Sequence, residues 1–365
     1  MMRLPLFQFH APRTLSEIAQ ILNDEGENAM VLAGGTDLLP NMKRRQQTPR
    51  TLVSLRNVPK MRQIQISDSG FRLGACLTLA EIAQNPSLRG ASSALWQAAL
   101  QVATPLIRNM ATLGGNLCLD TRCNYLNQSY EWRKAIDFCL KKDGTRCWVA
   151  PNSKKCMAVS STDAAPALIA LGARVRLVSH AAERELLLAD LYNDNGLHYL
   201  TRRREEILTE VLVDSLVGWK STYWKLRRRG SFDFPVLSVA AAVSTALNGI
   251  VVDARIVIGS VSSRPLVAAD ATNFLIGKPL NHDVIDETAA RAFRLAKPLD
   301  NTDFEMSWRK KVTTELVKYA LWELSGEDVS AQRKSVTRQE FYPADATMRI
   351  LNNPDLENQN LDSPI

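Results

Sequence analysis

"AMVLAGGTDLLPNMKRR", residues 29–45, reads as a short buried strand, a Gly-Gly turn and a polar exit. Just before it, "TLSEIAQILNDEG" (14–26) opens with a capping box of Thr14 and Glu17, sets Leu15, Ile18, Ile21 and Leu22 on one helical face, and closes at Gly26. Just after it, "TLVSL" (51–55) gives another strand. Helix, strand, turn and strand make a small α/β unit. Its glycines permit backbone angles that aim N–H groups at a phosphate, and Thr36 can add a side-chain hydrogen bond.

Outward from this unit, "RQIQISDSGFRLGACLTLAEIA" (62–83) predicts two strands about the Asp68-Ser69-Gly70 turn and a second capping box, Thr78 with Glu81. A helix around "ALWQAALQVA" follows, and "STDAAPALIALGARVRLVS" (161–179) predicts a helix capped near Thr162 and Asp163, stopped by Gly172, then a strand. Residues 56 to about 215 form one α/β domain interrupted by an insertion. Beyond 221, "FPVLSVAAAVSTALNGIVVDARIVIGSV" is two long strands joined by Asn248-Gly249, the strongest hairpin signal in the chain. In "MSWRKKVTTELVKYALWEL" (306–324), Trp308, Val312, Leu316, Ala320 and Leu324 make one helical stripe, read as core. The remaining residues are polar and aperiodic, a tail that is disordered or ordered by a partner.

Composition bounds the function. The chain has 365 residues, 45% apolar and 23% charged, as expected of a soluble protein of two or three domains. No stretch has the roughly eighteen apolar residues of a membrane span, and the N-terminus lacks a signal-peptide core, so a cytoplasmic protein is expected. The net charge of +7 is dispersed in short runs at 43–45, 202–204 and 227–229. Dispersed runs without interleaved aromatics read as solvated surface rather than a nucleic-acid face.

A second Gly-Gly turn, "TLGGN" (112–116), repeats the pattern of the first, with Asn116 where Thr36 stands. Neither matches the G-x-G-x-x-G fingerprint, and each alone reads as a tight structural turn. Asp163 beside a helix start reads as a cap, and Lys225, Arg227 and Arg229 alternate as on one side of an extended run, either a solvated edge or a face toward an anion. The cysteines differ in kind. Five of six lie between residues 118 and 156, in a polar stretch that breaks the helix and strand pattern. In a reducing compartment such thiols bind metal or do redox work more often than they pair. Cys123, Cys139, Cys147 and Cys156 suffice for a [4Fe–4S] cluster or a structural zinc, and the lack of C-x-x-C spacing leans toward iron–sulfur. Cys118 can replace one ligand, and Cys76 reads as a buried small apolar residue. None of His10, His180, His198 and His282 neighbours a cysteine.

"VLAGGTDLLPNMK", "ATLGGNL", "STDAAPALIALGA" and "KLRRRGSFDFPVLSVA", in this order, resemble the FAD-binding subunits of the xanthine dehydrogenase family of molybdenum hydroxylases over about residues 4–325. Within it, "GGNLCLDTRCNYLNQSYEWR" and its downstream cysteines are similar to the β subunits of 4-hydroxybenzoyl-CoA reductases. The resemblance implies an α+β protein. A two-subdomain α/β FAD-binding domain (1–55 and 56–217), with an inserted iron–sulfur loop at 118–157, would precede a C-terminal antiparallel sheet and helix domain (218–328) and a polar tail (329–365). FAD would be held by Leu32, Ala33, Gly34, Gly35, Thr36, Asp37 and Leu38, by Thr112, Gly114, Gly115 and Asn116, and near Asp163 and Lys225. A [4Fe–4S] cluster would be held by Cys123, Cys139, Cys147 and Cys156.

The implied role is electron transfer from ferredoxin through cluster and FAD to a [2Fe–2S] subunit and a molybdenum-cofactor subunit, in a dimer of heterotrimers, for reductive dehydroxylation of 4-hydroxybenzoyl-CoA. No catalytic residue is expected in this chain. The rival expectations are another molybdenum hydroxylase working in the oxidising direction, xanthine or aldehyde dehydrogenase-like, and a zinc-stapled assembly module without flavin.

Overall fold

A computed structural model describes residues 3–337. The first unit is a three-stranded parallel sheet of β1 (Gln8–His10), β2 (Ala29–Leu32) and β3 (Thr51–Ser54) in the order β1-β3-β2. The helix Leu15–Glu25 packs on it through Ile18, Ala19 and Leu22, and both halves of the Thr14/Glu17 capping box form. Such a cap is worth about 1 kcal/mol. The polar exit after the Gly-Gly turn is instead a helix, Leu38–Lys43, which buries Asn41 and Met42. Its brevity and its Pro40 hid it from periodicity.

The second unit is an antiparallel sheet of β4 (Ile64–Ser67), β5 (Gly70–Gly74), β6 (Arg174–Val178), β7 (Glu183–Leu187) and β8 (Ile207–Asp214) in the order β4-β5-β8-β6-β7. The Thr78/Glu81 box caps the helix Leu79–Gln84 as read. The third is the antiparallel sheet of β9 (Trp219–Leu226), β10 (Leu237–Thr245), β11 (Val251–Gly259) and β12 (Leu266–Val267) in the order β12-β11-β10-β9, with Gly249 at φ 81° in the β10–β11 turn.

This third sheet is covered on both faces, which explains the continuous apolar run of β10. Ala240 and Ala242 join the core of the first two units, whereas Val239, Ala241 and Val243 join the core made with the C-terminal helices. β9 obeys the same alternation: Tyr223 faces the first core and Trp224 the second. The alternation therefore points Tyr223 and Lys225 toward the first two units.

Two further readings need correction. On the helix Met306–Ser325, Leu316, Ala320 and Leu324 are buried as expected, but Trp308 is exposed and stacks on Phe304 (5.1 Å). Its place in the interior is taken by Arg309, whose guanidinium donates to the carbonyls of Val236 (3.1 Å), Leu299 (2.9 Å) and Ser260 (2.8 Å). The tail begins later than expected, because Ser330–Thr337 is a helix whose buried Arg333 donates to Tyr223 O (3.3 Å) and Thr222 Oγ1 (2.6 Å). The rest of the expected tail, 338–365, lies outside the described residues. Among the described residues no helix is long and apolar enough to cross a membrane.

Candidate functional site

The two Gly-Gly turns meet. A β-carbon on Gly34 would overlap the Met110 carbonyl, so the first turn approaches the second unit to a distance only glycine permits. Gly35 takes φ 73°. On the other side, Thr112 starts the short helix Leu113–Leu117, its Oγ1 accepting from Gly115 N (3.1 Å), while Gly114 N donates to Ala75 O (2.8 Å). A β-carbon on Gly114 would stand 2.8 Å from that of Ala75.

Between the turns lies a cleft with a cavity volume of about 390 Å³. Ala33, Gly34, Gly35, Thr36, Asp37, Leu38, Thr112, Gly114, Gly115, Asn116 and Asp163 all line it. Leu32 ends β2 behind the wall, and Lys225 lies beneath Asp163. Asn116 departs from its expected use: its Oδ1 accepts from Thr162 Oγ1 (2.8 Å) and Ala164 N (3.0 Å), joining the second turn to the helix Ala164–Ala170.

Asp163 is not a side-chain cap; Thr162 does that work, accepting from Ala165 N (3.2 Å). The Asp163 carboxylate instead accepts from Tyr223 OH (2.7 Å) and pairs with Lys225 Nζ (3.0 Å). Lys225 Nζ also donates to Gln101 O (2.9 Å), as does the buried Arg227 (3.3 Å). Burial raises the Asp163 carboxyl and lowers the Lys225 ammonium, each opposed by the other's charge. The solvated edge read for this run is thus wrong for Lys225 and Arg227; only Arg229 turns outward, to pair with Asp233.

Sequence reasoning missed Arg122, Tyr199, Arg202, Phe232 and Phe234 in the cleft wall. Arg122 pairs with Asp37 and lies 4.6 Å from the Phe234 ring centroid, and burial pulls its guanidinium down to about 10. Its neighbour is Cys123, so one backbone step links the cleft to the cysteine segment.

In that segment Cys123, Cys139, Cys147 and Cys156 are all buried and free, and Cys123, Cys139 and Cys156 pack in one small cluster with Leu126 and Ala158. Burial lifts the Cys123 thiol to about 12, with the charges of Cys156 and Cys139 adding to it; Cys156 is raised likewise by burial, with Cys147 and Cys139 adding. Among the described residues no three His, Cys, Asp or Glu side chains stand close enough to hold a metal ion as they lie. Tetrahedral zinc at about 2.3 Å per sulfur needs a tighter set than a polynuclear core would. As donors, thiols are of the kind that either zinc or an iron–sulfur group takes, and Arg133 is buried beside the Cys139 turn with Nε, Nη1 and Nη2 all lacking a hydrogen-bond partner. Cys118 lies apart, in the cleft wall, and Cys76 is buried with its thiol raised to about 11, as read.

Residues 5–214 match the family model described as the FAD binding domain in molybdopterin dehydrogenase, and 221–324 match the CO dehydrogenase flavoprotein C-terminal domain. The aldehyde oxidoreductase FAD-binding subunit PaoB of Escherichia coli (strain K12) is 32% identical over 255 residues, covering 67% of this chain and 78% of that one. The nicotinate dehydrogenase FAD-subunit of Eubacterium barkeri is 26% identical over 289 residues, covering 77% and 83%. In fold, a chain of reconstituted CO dehydrogenase from Oligotropha carboxidovorans superposes with a TM-score of 0.74 at 23% identity, covering 90% of this chain and 100% of that one.

Proposed function

This chain belongs to the FAD-binding subunits of the molybdenum hydroxylase family, and from that premise we propose that it holds FAD in the cleft between the two Gly-Gly turns and relays electrons for a partner that carries the chemistry. One observation carries the site: both turns, at Gly34-Gly35 and Gly114-Gly115, line a single cleft with the buried Asp163–Lys225 pair at its wall. The N–H groups of 33–38 would hold the pyrophosphate, and the glycines of 112–116, whose own N–H groups are taken by Ala75 O and Thr112 Oγ1, would let it approach where a side chain would block it. FAD supplies one- and two-electron chemistry when bound. Lys225 and Tyr223 fix the Asp163 carboxylate, Arg122 fixes Asp37, and the half-exposed Phe232 and Phe234 line the cleft.

The direction follows the relatives' names, a nicotinate dehydrogenase subunit and an aldehyde oxidoreductase subunit among them. We therefore favour the oxidising direction, with electrons arriving from a molybdenum subunit by way of a [2Fe–2S] subunit and leaving to an external acceptor. None of the relatives named above is a 4-hydroxybenzoyl-CoA reductase. The reductive reading, with ferredoxin as donor, rests on one observation of its own: the buried thiols of 118–157, of which Cys123, Cys139 and Cys156 pack in one cluster and which, with Cys147, would hold a [4Fe–4S] cluster beside the flavin. The domain limits 1–55, 56–217, 218–328 and 329–365 are part of the same proposal.

Anaerobic purification with copurifying subunits tests both readings. The expected result is FAD on this chain, bleached by an aldehyde or nitrogen heterocycle in the oxidising reading. In the reductive reading, reduced ferredoxin bleaches it and 4-hydroxybenzoyl-CoA restores its colour. A chain holding zinc and no flavin overturns both.

A further inference from the structure

The thiols explain the donor atoms of the 118–157 segment but not its charge. Arg133, on the helix Tyr130–Ala135, is 1% exposed, and none of its three guanidinium nitrogens has a hydrogen-bond partner. The carboxylate paired with it, Asp143, is 3.9 Å away and 39% exposed, and the Phe138 ring centroid is 5.6 Å away. Elsewhere this fold satisfies a buried guanidinium: Arg309, 0% exposed, meets three carbonyl oxygens within 3.1 Å. A buried cation without acceptors is costly unless an anion completes it.

The position of Arg133 says which anion. Its carbonyl accepts from Phe138 N (2.7 Å), Phe138 precedes Cys139, and Cys139 O accepts from Lys142 N (2.8 Å) and Gly144 N (3.1 Å), which bracket Asp143. With Asp143 at 3.9 Å and the Phe138 ring at 5.6 Å, the guanidinium lies against the turn that carries Cys139. Here the backbone is strained, with Asp137, Phe138 and Asp143 at φ 59°, 57° and 68°. Four thiolates around a [4Fe–4S] core leave a net charge of about −2, and about −3 once one electron is added.

We propose that Arg133 is the positioning counter-charge of a thiolate-bound iron–sulfur centre in this segment, an inference that rests on the cluster reading above. It completes its own solvation on the anionic centre and favours the more negative, reduced state. Reduction then adds one electron with no proton required, because a guanidinium stays charged.

The full chain, purified anaerobically with its partners, is compared as wild type, R133K, R133M and D143N. Iron and sulfide are counted, the midpoint potential is followed by electron paramagnetic resonance, and iron loss to a chelator is timed, with FAD content as the control. R133M should lower the potential and lose iron about tenfold faster or more, in line with the loss of an outer-shell partner. R133K should lie between, D143N should shift the potential upward, and FAD should stay bound in all. A wild-type chain without iron and sulfide overturns the cluster reading and this assignment together. A wild-type cluster indifferent to R133M, or R133M and D143N shifting the same way, overturns the assignment alone. If R133M fails to fold, R133K and D143N carry the same opposed signs.

Discussion

The flavin cleft and the cysteine segment share a backbone step at Arg122–Cys123 yet are built by different physics. The cleft is made by regular elements whose cores exist without any ligand: both turns are clamped by backbone contacts, Gly34 on Met110 and Gly114 on Ala75. The segment has one six-residue helix, three non-glycine residues at positive φ and a small apolar cluster. It is held at its base by anchors into the flavin domain. Lys141 Nζ, for instance, donates to Gly196 O (2.6 Å) of the flavin domain, and to Asp120 Oδ1 (2.7 Å) and Thr121 Oγ1 (2.7 Å) at the segment's own start. The cleft is therefore pre-formed, whereas on the cluster reading proposed above the segment would be completed by what it binds.

The strongest way to break this contrast is at Gly34. A valine there drives a side chain into the Met110 carbonyl and separates the two units, so G34V should purify without flavin. Gly115→Val should be milder, because its β-carbon meets only the Thr112 Oγ1 at 2.9 Å, a side-chain atom that can rotate away. Flavin absorbance per folded chain measures both. G34V retaining full flavin would make the turn structural only.

Next in size is the pair beneath the cleft. Asp163→Asn leaves the Lys225 ammonium, 0% exposed, without its counter-charge, and breaking such a pair costs about 3–5 kcal/mol. Adding Lys225→Met should recover part of that loss, since the two residues act as one unit. Denaturant unfolding of the single and double variants checks it, and equal, additive losses would contradict the coupling.

The proposed cluster gives the comparison a sharper test. Chelation, or Cys139→Ser, should open 118–157 to protease while the flavin spectrum and the global unfolding midpoint stay nearly unchanged. Peptide mapping of the first cuts decides, and cuts spread over the whole chain would mean that segment and cleft are one cooperative unit.

What could be read from the chain alone divides along the same line. The Thr14/Glu17 and Thr78/Glu81 caps and the Asn248-Gly249 turn were legible because every partner lies within a few residues. The cleft residues were reached through resemblance, since nothing local says that 33–38 and 112–116 face one another. Arg122, Phe232 and Phe234 lie inside stretches that carry the resemblance, yet nothing in those stretches marks them out, and Tyr199 lies outside them; all four reach the cleft through contacts across dozens of residues. The burial of Lys225 and Arg227 was likewise invisible, being set by Gln101 and Asp163, far away in sequence. In the cysteine segment composition exposed the thiols, but the isolation of Arg133 is a fact of packing.

The smallest effect concerns the C-terminus, where the point of cutting matters. Removing 338–365 should change neither flavin nor metal content, since that stretch carries no apolar periodicity with which to join a core. Removing everything after Val329 is different. It deletes Arg333, which donates to Thr222 Oγ1 (2.6 Å) and Tyr223 O (3.3 Å) on the strand that also carries Lys225, and pairs with Glu323. Loss of charge-assisted hydrogen bonds of this kind costs about 1.5–3 kcal/mol each at most, and less where Glu323 is left partly solvated. Because Tyr223 OH holds Asp163 at the cleft wall, the shorter chain should bind flavin more weakly as well as unfold earlier. Flavin titration of the two truncations compares them directly: equal affinity would show that the last helix braces only the C-terminal sheet and does not reach the cleft.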